Sequence, residues 1–500
     1  MEQKMIYKKE SVKPYRVHVP ASAEEYLQAV RQAEYYLSAH VKRTPEGIYW
    51  ASGETGKNDN AFAKLSVVNL YGGSAGILYF YHKLYRETKE EAYRKTMEEA
   101  LHYLLFRLPD FLPEKVYTLQ EYGAGVSLDL GVLGLAGIGF VLEDIYETYR
   151  QEEVKEALHT IGSYYLFHAN REGDTAYFTG SSTMITDTAI LLYLIRHYEL
   201  SGEPEIRELI LAEGEWYLKQ GEWQEDGTLF YHGLECVWEG VKLNFEVGVS
   251  GSGYMLARLY EFTQDERYLK AADACAAYVV KQGIAQEKGY LVPFRQDLGK
   301  DSPLYLGTCS GVAGTARLFY LLYRLTGEKN YLDEIEKQVD GIESVHAPEW
   351  PSTGFWNNTN LCCGHAGLLQ FFVAMYQATK EEHYRELAHR TATVLLGEKD
   401  VDKDGASWLV ATERSHPENT SRPLGYYMGV AGIAGALLQL YESEQGDFHW
   451  NRLPDDRFRH NPVFFYCNFF PYGAILKILM SKKEASHVFN RRAGKSRKRI

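Results

Sequence analysis

Three of the chain's cysteines stand where sulfur could do chemistry. Cys309 opens the stretch Cys309-Ser310-Gly311-Val312-Ala313-Gly314, and Cys362 and Cys363 open Cys362-Cys363-Gly364-His365-Ala366-Gly367. Each set lies just before a Gly-x-x-Gly that starts an apolar, helix-forming run. A helix N-terminus favours thiolate over thiol. Three thiolates suit a soft divalent metal, and zinc is the expected ion. Zinc takes tetrahedral sulfur ligands, and three protein ligands leave the fourth position open for substrate. His365, three residues after Cys362, is the alternate ligand in place of Cys363. The competing reading of the same residues is that they only pack between crowded helices. With six cysteines in 500 residues there is no disulfide framework, and a reduced, cytoplasmic protein is expected.

The elements that must carry these residues form a repeat. Gly-x-x-Gly starts recur at Gly73, Gly134, Gly248, Gly311, Gly364 and Gly429. Each is followed at the same distance by a tyrosine: Tyr85, Tyr146, Tyr260, Tyr323, Tyr376 and Tyr441. A second column holds Tyr93, Tyr268, Tyr331 and Tyr384, which accounts for part of the 39 tyrosines. The same spacing exposes a degenerate seventh unit that starts at Thr186, with Tyr198 in the column. Self-similarity of this kind marks stacked supersecondary units. In each unit a helix that is apolar on all sides, hence buried, precedes an amphipathic one. The pattern predicts an all-α fold, an α/α toroid with seven inner and seven outer helices. A helix within residues 1–60 is expected to close the outer ring. The glycines read as sites of close helix approach, since no strand precedes them as a dinucleotide fingerprint would require.

Length alone would suggest two or three domains, but the repeat spans the chain without a linker. Residues 1–486 are therefore read as one toroid domain and the basic residues 487–500 as a solvated tail. The formal net charge of −13 argues against nucleic-acid binding. No apolar run approaches the roughly 18 residues of a membrane span, and the first twenty residues do not read as a secretory signal.

In such a toroid the two residues before each Gly-x-x-Gly converge on one mouth of the central cavity. In order they are Tyr71-Gly72, Val132-Leu133, Met184-Ile185, Glu246-Val247, Cys309-Ser310, Cys362-Cys363 and Tyr427-Met428. Three of the six cysteines fall in this one register, on consecutive units.

Taken together, the Cys-Ser-Gly-Val-Ala-Gly motif at 309–314, the Cys-Cys-Gly-His-Ala-Gly motif at 362–367 and the final unit around Gly429 resemble the lanthionine synthetase C-like family. The resemblance runs from Gly73 to about Pro454. It implies zinc held by Cys309, Cys362 and Cys363. It also implies addition of a peptide cysteine thiol to dehydroalanine or dehydrobutyrine, giving thioether rings. A dehydrated precursor peptide is the implied partner, with a dehydratase or other modification enzymes beside it. Three departures stand out. Thr308 replaces a tryptophan, Val247 replaces the family's acid–base histidine, and a family aspartate near the third unit has no counterpart. Addition of a thiol to a dehydroamino acid leaves an enolate that must be protonated. The nearest candidates for that acid are Glu246, beside the lost histidine, and Asp187 in the motif register, with His232 on a nearby loop. The alternatives are a relative that adds glutathione or another small thiol, or a non-catalytic scaffold in a peptide-modification complex. A glycosidase-like enzyme ranks last, because that chemistry needs a fixed carboxylate pair.

Overall fold

Fifteen-residue segments such as Val312–Thr326 form helices whose first eleven residues are all buried. No polar face is left to meet water, so these helices must be surrounded by others. The computed structural model describes residues 13–51, 67–121, 131–234, 239–351, 358–411, 418–451 and 453. Among them are fourteen α-helices: α1 Glu24–Ala39, α2 Ser74–Thr88, α3 Glu91–Phe111, α4 Leu135–Tyr149, α5 Glu152–His168, α6 Asp187–Ser201, α7 Pro204–Lys219, α8 Val249–Thr263, α9 Glu266–Lys281, α10 Val312–Thr326, α11 Asn330–Ser344, α12 His365–Thr379, α13 Glu382–Gly397 and α14 Val430–Gln445. The even-numbered helices pack in sequence and α14 packs on α2, which closes an inner ring. Each odd-numbered helix lies outside the inner helix before it, and α1 covers α14. The expected toroid of seven inner and seven outer helices, closed by a helix from the N-terminal segment, is what forms.

The tyrosine columns have distinct structural jobs. Each inner helix ends on a residue in the left-handed conformation. In six of them that residue's N–H donates to the carbonyl of the first-column tyrosine: Tyr85, Tyr146, Tyr198, Tyr260, Tyr323 and Tyr376. The second column is buried on the outer helices. There the hydroxyl of Tyr331 donates to Asp273 of α9 at 2.7 Å, and that of Tyr384 donates to Glu336 of α11. These bonds tie α11 to α9 and α13 to α11.

Among the described residues six two-stranded antiparallel sheets lie in the loops: β1–β2 at 42–49, β3–β4 at 170–177, β5–β6 at 221–231, β7–β8 at 284–291, β9–β10 at 400–407, and β11 (Val410–Ala411) paired with β12 (Thr420–Ser421). Five of them follow an outer helix. Strands of two or three residues are too short to show an alternating pattern in sequence, so they were not expected. Cys275 lies in the core on α9, as its amphipathic helix suggests. Cys236, Cys467 and the 487–500 tail fall outside the described residues.

Candidate metal centre and central cavity

The loop before each inner helix folds back across that helix's first turn, and the motif glycines make this possible. A methyl on Gly314 would lie 2.0 Å from the Thr308 carbonyl oxygen, and one on Gly367 would lie 2.2 Å from that of Leu361. The close approach is thus chiefly between a helix and its own loop, with the neighbouring unit's loop behind it, rather than between helix axes. Gly307 does the same job between units: a side chain there would collide with the backbone of Cys362–Gly364 at about 2.5 Å. Asn360 adds a local hold, since its side-chain oxygen accepts from the Cys363 N–H at 2.8 Å.

These constraints deliver the convergence expected from the register. A small cavity of about 30 Å³ is lined by all seven residues that stand two before the unit start: Tyr71, Val132, Met184, Glu246, Cys309, Cys362 and Tyr427. Backbone hydrogen bonds link five neighbouring pairs of them into a collar. The N–H groups of Met184, Glu246, Cys309, Cys362 and Tyr427 donate to the carbonyls of Glu246, Cys309, Cys362, Tyr427 and Tyr71, each at 2.9 Å. Four of the seven positions one before the start, Leu133, Ile185, Val247 and Cys363, make a second, apolar layer. Ile185 and Val247 cluster there with Leu234, Phe294, Tyr305 and Ala411, and Leu133 and Cys363 pack against them. Val247, in the place of the family histidine, is therefore part of an apolar rim.

The three sulfurs meet at one side of the cavity. Cys363 Sγ lies 3.4 Å from both Cys309 Sγ and Cys362 Sγ, and all three lie within 4.8 Å of one another. A disulfide needs about 2.05 Å, so none of the three sulfurs is disulfide-bonded. Tetrahedral zinc with Zn–S bonds of about 2.3 Å needs sulfurs roughly 3.8 Å apart. The spacing fits that ion with small adjustment, and no fourth His, Cys, Asp or Glu donor joins the group among the described residues. The electrostatics agree with the donor set. Hydrogen bonding from Cys309 and then Cys363, together with burial, pushes the Cys362 thiol well above its ordinary range. Three crowded thiols without a cation stay protonated, whereas a divalent ion among them would reverse that balance.

Tyr71, absent from the sequence-based candidates although its register position was visible, donates its hydroxyl to Cys362 Sγ at 2.8 Å. Its ring stacks on Tyr427, with centroids 5.4 Å apart and planes 5° from parallel. Burial and then the neighbouring Cys362 and Glu246 hold the phenol protonated, well above its ordinary value. Glu246 is half-buried in the cavity wall, close enough for its charge to act on Tyr71.

Two other sequence candidates sit elsewhere, for one shared reason. Asp187 and His365 both occupy the residue after the unit start, and that position turns away from the cavity into the helix's own loop. Asp187 accepts from the N–H groups of Phe178, Thr179 and Gly180 and from the Thr179 hydroxyl. His365 places Nδ1 2.8 Å from the Asn358 carbonyl and Nε2 2.9 Å from that of Pro348. Both ring nitrogens of the alternate ligand are thus engaged away from the sulfurs. Ser74, in the same position, bonds back to Trp50 in the same way. His232 lies on a hairpin edge, 2.7 Å from Glu222, with 46% of its side chain exposed.

An inner and outer ring of seven helices each, with a cluster of thiols at the mouth of the inner one, defines an α/α-toroid protein with a candidate metal centre. A family profile described as "Lanthionine synthetase C-like protein" matches residues 67–453, and the chain belongs to that family. Among solved structures it is similar to one titled "Nisin cyclase", at a TM-score of 0.56 and 14% identity, over 86% of this chain and 96% of that one. That likeness shows the fold. A looser one, at a TM-score of 0.42 and 12% identity, is to an unsaturated glucuronyl hydrolase from Streptococcus agalactiae, over 86% of this chain and 98% of that one. No helix among the described residues is long and apolar enough to cross a membrane.

Proposed function

We propose that this chain is a zinc-dependent thioether-forming enzyme that adds a peptide cysteine thiol to dehydroalanine or dehydrobutyrine. The observation that carries the reading is the convergence of Cys309, Cys362 and Cys363 on one cavity wall. These three residues would hold the ion as ligands, leaving one position facing the substrate. Zinc bound there supplies the Lewis acidity that lowers a substrate thiol's pKa towards neutrality.

In the reaction a carbon–sulfur bond forms at the alkene's β-carbon, its π bond breaks, and the resulting enolate takes a proton at the α-carbon. Glu246 is the cavity carboxyl group that could deliver that proton, directly or through water. Tyr71 fixes the Cys362 sulfur through its hydroxyl. The apolar rim around Val247 and Ile185 excludes water from the mouth and would receive the apolar neighbours of the reacting residues. Asp187 is not carried into this scheme, because its carboxylate binds the 178–180 loop. The partner in this reading is a dehydrated precursor peptide, supplied by a dehydratase, and the absence of a disulfide among the three cysteines is in keeping with a reaction in the cytoplasm.

Metal analysis and a thiol count test this together. Purified protein should carry zinc in stoichiometric amount and lose it in Cys309→Ala. Incubation with a dehydrated peptide should leave the peptide's mass unchanged while its alkylatable thiols disappear. A second reading keeps the same thiol addition and enolate protonation but takes a small thiol in place of the peptide cysteine. Glutathione as co-substrate would then add its own mass to the peptide. A metal-free protein that leaves every thiol alkylatable would sink both readings.

A further inference from the structure

At the far end of the inner ring a second group of metal-binding side chains comes together. His159 projects from outer helix α5, His197 lies near the C-terminus of inner helix α6, and Glu203 caps outer helix α7. One donor atom from each falls within 4.8 Å of the others. Glu203 Oε1 is 3.1 Å from His159 Nδ1 and 3.8 Å from His197 Nε2. An ion with bonds of about 2.0–2.2 Å to nitrogen and oxygen holds tetrahedral ligands roughly 3.3 Å apart, so the two distances bracket what it needs. His197 lies ten residues beyond Asp187 on the same helix, which at 1.5 Å per residue puts the group about 15 Å from the cavity end. It is a separate place, not an extension of the thiol cluster.

The state of His197 points to a ligand. Its side chain is 4% exposed, and neither ring nitrogen has a hydrogen-bond partner. A buried polar group in that condition costs about 1–3 kcal/mol. The space around it is built for the ring: Tyr193 stacks on it at 5.7 Å, and a methyl on Gly162 would fall 2.5 Å from Nε2. Burial lowers its pKa to about 4, so at neutral pH the imidazole is uncharged and has a lone pair to give. Burial opposes the charge of Glu203, but the hydrogen bond with His159 is the next-largest influence and its pKa is lowered. The half-exposed His159 leaves the site open to an incoming ion. A comparable trio of Glu87, Glu442 and His449 lacks this character, because Lys83 and Arg86 already bring positive charge to it.

We propose that His159, His197 and Glu203 form a second site for a divalent transition-metal cation of the zinc type. An ion there would join α5, α6 and α7 at the degenerate unit, whose loop lacks the paired glycines. The proposal is independent of the reaction assigned to the thiol cavity.

Cobalt(II) distinguishes the two sites. Metal-free full-length protein is titrated with cobalt under reducing conditions and followed by absorption. Binding at the three thiols gives intense sulfur-to-cobalt charge transfer in the near ultraviolet, while a His–His–Glu site gives only weak visible bands. The wild type should show both phases. His159→Ala, at an exposed position that leaves the fold intact, should weaken the second phase by more than the roughly 10–100-fold that loss of an outer-shell partner costs, and should keep the first. Glu203→Gln should act in the same direction. Cys309→Ala should abolish charge transfer and spare the weak bands. A wild type that shows only the charge-transfer phase, or a His159→Ala protein that keeps both, overturns the proposal. Loss of the charge-transfer phase alone would count against the thiol site and not against this one.

Discussion

The cavity mouth has two arcs built on one register and filled differently. From Glu246 through Cys309, Cys362 and Tyr427 to Tyr71, the lining residues carry carboxyl, thiol and phenol groups. From Val132 to Met184 they are apolar. The backbone divides one unit further on, with Met184 inside the collar and Val132 outside it. The collar of N–H to carbonyl bonds runs from Met184 round to Tyr71, and the described residues show none through Val132. The paired glycines are complete on the reactive arc and in the Val132 unit (Gly134 and Gly137), whereas the Met184 unit has Thr186 and Ala189 in their places. The same supersecondary unit therefore serves two purposes. Where loops are clamped tightly, side chains can be held to the few tenths of an ångström that ligands and proton donors require. On the other arc the lining side chains are apolar, and the unit only closes the ring.

The sharpest way to break this contrast is at Glu246. If the reactive arc delivers the proton, Glu246→Gln should lower turnover by about 10²–10⁴-fold with zinc content unchanged. Met184→Leu, at the same register on the other arc, should leave turnover nearly intact. A Glu246→Gln enzyme that keeps full rate would show that the carboxyl group only shapes the wall.

Next in size is a stability test of the clamps. Ala at Gly367 would place a methyl 2.2 Å from the Leu361 carbonyl oxygen and 2.7 Å from Thr308 Oγ1, at a cost of about 3 kcal/mol. The equivalent residue of the degenerate unit is already Ala189, and Ala189→Gly should cost only about 1 kcal/mol, through helix propensity. Chemical denaturation of the two variants measures the difference. Equal costs would mean that the glycines matter only for the backbone and not for loop closure.

A third test uses pH on the apolar arc. Burial raises the Asp187 pKa to about 6, against four hydrogen bonds that pull it down. A carboxyl group with a raised folded pKa binds more protons folded than unfolded. Its stabilising contribution is therefore complete below the unfolded value of 3.8 and is lost as pH rises through about 6. The destabilisation caused by Asp187→Asn should accordingly shrink, by on the order of 3 kcal/mol, between those limits. A pH-independent difference would show that the hydrogen bonds hold the carboxylate ionised throughout.

The register explains what the sequence could reveal. Seven residues two before each unit start reach the cavity because every unit folds its loop the same way. Periodicity alone therefore placed Cys309, Cys362 and Glu246 together. The residue after the start looked equally central in one dimension, and there Asp187 and His365 misled. Its direction is set by the hairpin and loop packed outside it, and short strands leave no period to read. Gly307 was invisible for a related reason: its role is to let the Cys362–Cys363 backbone approach from another unit, a contact between residues 55 and 56 positions apart. Tyr71 was hidden among tyrosines that serve as helix ends and outer-ring ties. Only the 2.8 Å approach to Cys362 Sγ separates it from them.

That approach gives the smallest of the expected effects and the finest division between the arcs. The Tyr71 hydroxyl is a donor to sulfur in a buried site, where a hydrogen bond to a charged partner is worth about 1.5–3 kcal/mol. Once Cys362 is ionised by a bound cation, the phenol stabilises the sulfur's charge and makes it a slightly weaker ligand. Removing it should therefore leave the metal in place and change how strongly it withdraws charge from substrate. Tyr71→Phe keeps the ring stacked on Tyr427 and takes away only the donor. The expected result is stoichiometric zinc, an unfolding midpoint lowered by a few degrees at most, and turnover altered by about tenfold. A shift in the cobalt charge-transfer band would be its spectroscopic companion, since that band reads the electron density on sulfur. Val132→Ala on the opposite arc should move neither quantity. If Tyr71→Phe also moves neither, the phenol is one more packing tyrosine, and the reactive arc ends at Tyr427.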